Sequence, residues 1–175
     1  MAISKNASVG QIIRRIRARE FASVYTLYGG DSFLEDFIIQ ELYHKFLESS
    51  GEKVHLSLDQ DSEELLFGEL SSISLFQEKR IIIVREVKRL KGKNGREELI
   101  QYLKIPNPDI ILLIINPEYD LKNAFLNKLG NASQLLDLRP PFKKEMKQWV
   151  GFMITNRNIQ ITDSALEHFI QNYGD

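Results

Sequence analysis

Unbroken apolar runs at regular intervals are the feature of this sequence that most constrains its fold. The longest, residues 110–115 (IILLII), contains no polar side chain. Continuous apolarity of this kind is typical of a strand buried on both faces, as in parallel sheets. Further strands are predicted at residues 24–28, 54–58, 81–84 and 134–138.

Helices are predicted before the first of these runs and between them, at residues 8–20, 32–49, 61–73, 97–104 and 120–129. Ser32-x-x-Glu35 and Asp61-x-x-Glu64 match the capping pattern of helix starts. Residues 92–95 predict a polar break, and Gly130 predicts a helix end. Strands that alternate with helices in this way predict an α/β fold, a parallel five-stranded sheet flanked by helices.

A change of organisation is predicted at Pro140 and Pro141, which interrupt regular structure. Two helices follow, at residues 142–155 and 162–173, and the second carries Leu166, Phe169 and Ile170 along one face. We therefore expect a first domain over residues 1–140 and the beginning of a small helical domain over residues 141–175, whose remaining helices lie outside this sequence.

Composition excludes several classes of protein. The 175 residues carry a formal net charge of -1 and no cysteine, so neither a general attraction to phosphate nor thiol chemistry is expected. The longest apolar run is far shorter than the roughly 20 residues needed to span a bilayer, and the N-terminus has no signal-peptide core. A cytoplasmic location without membrane contact is expected.

Two basic segments are candidates for DNA contact. They are the arginines of residues 14–19 and the stretch 88–93 (KRLKGK). No interleaved aromatic residues accompany them as stacking platforms. A solvated surface is the favoured interpretation of both.

A strand, a glycine turn and a helix stand where nucleotide-binding proteins keep their phosphate loop. Here Gly29 and Gly30 form the turn, but Glu35 and Asp36 occupy the slots of the lysine and the hydroxyl residue. Two carboxylates would repel a triphosphate. We expect a degenerate phosphate loop that is not functional, and no cofactor.

Other catalytic arrangements are not indicated. His44, His55 and His168 fall on separate predicted elements without metal-ligand spacing, and there is no Ser/His/Asp signature. We expect no catalytic residue and no metal site, and an enzyme is the weaker class. An active ATPase on the same sheet is the alternative.

Two large apolar residues, Leu75 and Phe76, stand side by side in polar surroundings just before a predicted strand. One interpretation is that they tuck under the sheet as part of the core. The other is an exposed anchor for an apolar pocket on a partner, where burial would contribute about 1.5 to 3 kcal/mol for each side chain. The pattern itself leaves both open.

Three segments in order, VYTLYGGDSFLED, SISLFQEKRIIIV and DIILLIIN, resemble the delta subunit of the bacterial DNA polymerase III clamp loader. The resemblance implies an ATPase-type (AAA+-like) domain that has lost its phosphate loop. It also implies that ITDSALEHFIQNYGD begins a lid domain. Leu75 and Phe76 would then enter a hydrophobic cleft of the sliding clamp (the beta subunit), with Ile73 at a neighbouring contact position.

The same resemblance implies a function without catalysis. The subunit would favour a clamp shape whose ring cannot stay closed, and so help to open it for loading onto primed DNA. Other clamp-loader subunits (delta prime and gamma/tau) would be partners through a C-terminal collar domain that this sequence does not contain, and DNA would be met only through the complex. A scaffold that binds the loader but not the clamp is a further alternative.

Overall fold

The computed structural model describes residues 8–47, 51–72, 79–90, 92–118, 122–139, 143–156 and 159–173. The chain divides into two compact units, Met1–Leu138 and Arg139–Asp175.

Strands and helices alternate along the first unit. Its elements in order are α1 (Val9–Arg17), β1 (Val24–Tyr28), α2 (Ser32–Leu42), a π-helical turn (Tyr43–Leu47), β2 (Glu52–Ser57), α3 (Glu63–Ser71), β3 (Arg80–Arg85), a 3-10 turn (Val87–Arg89), α4 (Gly92–Tyr102), β4 (Ile110–Asn116), α5 (Ala124–Ala132) and β5 (Gln134–Asp137). The second unit contains α6 (Lys143–Asn156) and α7 (Asp163–Tyr173).

The strands form one parallel sheet, five-stranded over the described residues, in the order β2-β3-β4-β1-β5. Every residue of the central strand β4 is buried, as its unbroken apolar sequence predicts. The predicted fold class, a parallel five-stranded α/β sheet flanked by helices, is confirmed.

The two faces of the sheet have separate cores because successive side chains of a strand point to opposite faces. Ile82 and Leu112 pack on one face with apolar side chains of α3, α4 and α5. Ile81 and Ile83 point to the other face and are equally buried. On that side the π-helical turn contacts β3, and α2 contacts α1. The first unit therefore has three layers, with the sheet in the middle.

Two helix starts lie one residue away from the predicted caps. The Asp31 carboxylate, rather than the Ser32 hydroxyl, accepts a hydrogen bond from the Leu34 amide at 3.0 Å. Ser62 caps α3 in the same way, while Asp61 accepts from the Ser57 amide at 2.7 Å. The Ser/Thr/Asp pattern identifies a helix start, but which oxygen caps it depends on which residue takes the extended cap conformation.

Two glycine predictions are wrong for a common reason. α4 already begins at Gly92, so residues 92–95 are not a break, and a Cβ at Gly95 would collide with the Glu63 carboxylate. Gly130 lies within α5 instead of ending it, where a Cβ would come within 3.1 Å of the Leu135 side chain. At both glycines an added Cβ would crowd a neighbouring side chain, which would have to move to admit it.

The second unit is described by itself. α6 and α7 pack on each other, with Leu166 of α7 buried and the Lys147 Nζ donating to Glu167 Oε1 at 2.7 Å. That ion pair is exposed at both ends. Ile159 and Phe169 are also exposed.

We predict that Gly30→Ala lowers the free energy of unfolding by about 1 to 2 kcal/mol, because Gly30 has a φ of +75°, which a residue with a Cβ adopts at a cost. The new Cβ would also lie 3.2 Å from the Pro117 carbonyl oxygen. Urea unfolding measures the change. The matched control is Gly68→Ala in α3, where a Cβ meets open space. This variant should raise the free energy of unfolding by about 1 kcal/mol. Equal effects of the two variants would contradict the prediction.

Candidate functional site

The glycine turn after β1 lies at the carboxyl edge of the sheet. Gly29 and Gly30 both have positive φ, 118° and 75°, and Gly30 faces the Pro117 carbonyl that follows β4. These two glycines therefore have a structural reason to be there, because the turn bends back tightly against the neighbouring strand end.

Only residues 29–31 separate β1 from α2. Glu35 and Asp36 consequently lie within the helix and not in the loop. The N-terminus of α2, where backbone amides could receive a phosphate, is capped by the Asp31 carboxylate through its bond from the Leu34 amide. The Leu34 amide at this helix start is therefore already paired with a carboxylate.

The Glu35 side chain is buried, and its carboxylate forms an ion pair with the Arg85 guanidinium at the end of β3. The Arg85 NH1 lies 3.5 Å from the other carboxylate oxygen. The structure thus brings Gly29, Gly30 and Glu35 to one end of the sheet. Asp36, in contrast, is exposed to solvent.

Other ionisable groups lie near Glu35 and Arg85 or at the neighbouring strand ends. Burial lowers the pKa of His55, and the nearby charges of Lys53 and Arg85 lower it further, whereas Glu35 opposes them. Lys88 pairs with Glu118 across the ends of β3 and β4. Among the described residues there is no group of His, Cys, Asp and Glu that could hold a metal ion.

The second candidate site is the connection between α3 and β3. The predicted clamp-binding residues Ile73, Leu75 and Phe76 lie outside the described residues. The two ends of this connection are described, and both are fixed by hydrogen bonds. Its first end is Ser72, whose amide donates to the Gly68 carbonyl at 2.9 Å and whose hydroxyl donates to the Glu69 carbonyl at 3.0 Å.

The other end of the connection is tied into the sheet. The Lys79 carbonyl accepts from the Glu52 amide at 3.1 Å, and the Arg80 amide donates to the Asp109 carbonyl at 2.9 Å. The Lys79 Nζ also lies over the Phe46 ring, 5.1 Å from its centroid.

Arg80 joins the two ends directly. Its guanidinium is buried and donates from NH1 to Glu69 Oε2 at 2.9 Å and from NH2 to the Ser72 carbonyl at 2.8 Å. Neither this contact nor the Glu35–Arg85 pair was predicted from the sequence. The only sequence signal is an arginine at each end of the apolar run of β3.

Comparison with protein families identifies the chain. The family model for the delta subunit of DNA polymerase III matches residues 25–138. The chain belongs to this family. The match includes the glycine turn, the connection between α3 and β3 and every strand of the sheet except Val24, the first residue of β1. No curated protein sequence matches the chain.

Solved structures share the fold of this delta-family chain. The Bacillus subtilis DNA clamp loader delta protein (YqeN) superposes with a TM-score of 0.75 at 18% identity, over 93% of this chain and 51% of that protein. A variant of RuvB from Thermotoga maritima gives 0.52 at 17% identity, over 91% and 52%. Domain III of the replication initiation protein DnaA from the same organism gives 0.50 at 13% identity, over 94% and 74%.

These likenesses establish the fold alone, because the identities are low. The chain spans about half the length of the Bacillus subtilis protein. In the part of the chain that the structure describes, no helix is long and apolar enough to cross a membrane.

We predict that Arg85→Met lowers the free energy of unfolding by about 1 to 3 kcal/mol, because the buried Glu35 carboxylate loses its charged donor. Glu35→Met with Arg85→Met should recover most of the loss, since the double variant no longer leaves the buried Glu35 carboxylate without its partner. Urea unfolding of the two single variants and the double variant measures the coupling energy between Glu35 and Arg85. Additive losses would show that the pair is not coupled.

Proposed function

We propose that this delta-family chain is the clamp-binding part of a clamp loader, and that Leu75 and Phe76 insert into an apolar cleft of the sliding clamp with Ile73 beside them. Family membership is the observation that carries the proposal, since the matched residues 25–138 include this segment. The likeness to a clamp loader delta protein over 93% of the chain supports it.

The position of the segment is favourable for such a contact. It connects α3 to β3, and its two ends are held by backbone hydrogen bonds and by Arg80. A short connection on rigid elements can present a leucine and a phenylalanine to a partner at a lower entropic cost than a free peptide would. Apolar side chains that enter a pocket contribute a large share of the binding energy of an interface.

Ring opening follows from differential binding. If the chain binds a clamp shape whose subunit interface is strained, the binding energy shifts the clamp toward the open ring. No covalent chemistry and no metal are required for this step. The function belongs to DNA replication in the cytoplasm.

ATP hydrolysis is assigned to other subunits. Asp31 caps the helix start where a phosphate would bind, and the buried Glu35 pairs with Arg85. Both features oppose a triphosphate at this edge. We also propose that the unit Arg139–Asp175 begins the helical lid domain, and that partner loader subunits (delta prime and gamma/tau) are bound by the full-length delta subunit.

We predict that Leu75→Ala with Phe76→Ala weakens binding to the sliding clamp of the same organism by about 100-fold or more, because each lost contact removes about 1.5 to 3 kcal/mol. Surface plasmon resonance with immobilised clamp measures the change, and circular dichroism checks the fold.

The matched control for this variant is Phe33→Ala with Leu65→Ala, which removes an exposed phenylalanine and an exposed leucine on α2 and α3. It should bind the clamp like the parent. Binding by the Leu75/Phe76 variant at parental strength would refute the proposed contact and favour a scaffold. Unfolding of that variant would instead place the pair in the core.

A second prediction concerns nucleotide. Isothermal titration of the chain with ATP and magnesium should give no saturable binding, because carboxylates stand at the phosphate position. Saturable binding that Gly30→Ala or Glu35→Ala abolishes would support the alternative, an active nucleotide-binding ATPase on this sheet.

A further inference from the structure

Arg80 is unusual among the described residues of the sheet interior because it is a buried cation at the first position of a strand. Its side chain is 9% exposed. Taking a guanidinium out of water carries a large desolvation cost, and an apolar residue of similar volume often gives equal or greater stability at such a site. Stability alone therefore does not explain an arginine here.

At this position an arginine contributes two hydrogen bonds whose relative direction is fixed by its planar guanidinium. Its planar fork reaches two acceptors at once, the Glu69 carboxylate on the last turn of α3 and the Ser72 carbonyl that ends the helix. A lysine has a single ammonium on a flexible stem and lacks this fork. Arg80 thus fixes where the chain leaves α3 relative to where it enters β3.

We propose that Arg80 is a positioning residue for clamp binding, with Glu69 as its charged partner. By joining Ser72 to the start of β3, it holds the two ends of the connection 73–79 at one separation before the clamp arrives. The segment then loses less conformational entropy on binding. This inference rests on the proposed function, because it requires residues 73–76 to be the part that contacts the clamp.

The test compares stability with clamp binding for Glu69→Met with Arg80→Met. This double variant removes the ion pair without leaving one charge buried alone, so urea unfolding should give parental or higher stability. Clamp affinity, measured by surface plasmon resonance, should nevertheless fall by about tenfold through loss of preorganisation. A merely structural role would not separate the two measurements in this way.

A second variant keeps the inference testable if the double variant does not fold. Arg80→Lys keeps the charge but reaches one acceptor at a time, so its clamp affinity should lie between those of the parent and the double variant. If the double variant unfolds, the result for Arg80→Lys decides, and parental affinity for that variant overturns the inference.

The outcomes also separate this inference from the proposed function. Parental affinity for Glu69→Met with Arg80→Met, together with lost binding for Leu75→Ala with Phe76→Ala, refutes the positioning role and leaves the clamp contact standing. Parental affinity for the Leu75/Phe76 variant refutes the clamp contact itself, and the positioning role with it.

Discussion

Burial of both faces of the central strands is the constraint on which the rest of this structure depends. β4 has no exposed residue, and the strands beside it are parallel. Parallel neighbours require crossover connections, and two buried faces require a helical layer on each side. Within the sheet, polar groups that could meet a partner are thereby restricted to the ends of the strands, and both candidate sites lie at strand ends and in the segments that connect them.

β3 links these two regions. It begins with Arg80 and ends with Arg85, and because the two are five residues apart, the pleat directs their side chains to opposite faces. Arg80 meets Glu69 of α3, and Arg85 meets Glu35 of α2. β3 is therefore joined by an ion pair to one helix in each layer. At the carboxyl end of β3 the pair lies beside the glycine turn, and at its amino end Arg80 joins the two ends of the connection proposed to reach the clamp.

The elements that the sequence predicts best are those whose signal is local. β1 is observed at Val24–Tyr28 as predicted, and the other strands differ from their predicted bounds by two residues or fewer at either end. Helix starts are less well predicted. The pattern at Ser32 and Asp61 misses the capping residue by one position, and α4 begins five residues before its predicted start. Each cap joins residues only three apart, but the pattern does not tell which of two neighbouring residues takes the extended cap conformation. The close contact of α4 is different, because a Cβ at Gly95 would meet Glu63, which is distant in the sequence.

By itself the sequence determined the strands, the helices that alternate with them and the carboxylates that follow the glycine turn, because apolar runs and charges are properties of the chain that folding does not change. The tertiary structure alone decided the partners of Glu35 and Arg80, which lie 50 and 11 residues away. Such pairs form only when crossover connections bring helix and strand ends together. No spacing rule could have found them, because the distance along the chain is set by the topology and not by the period of a helix or a strand.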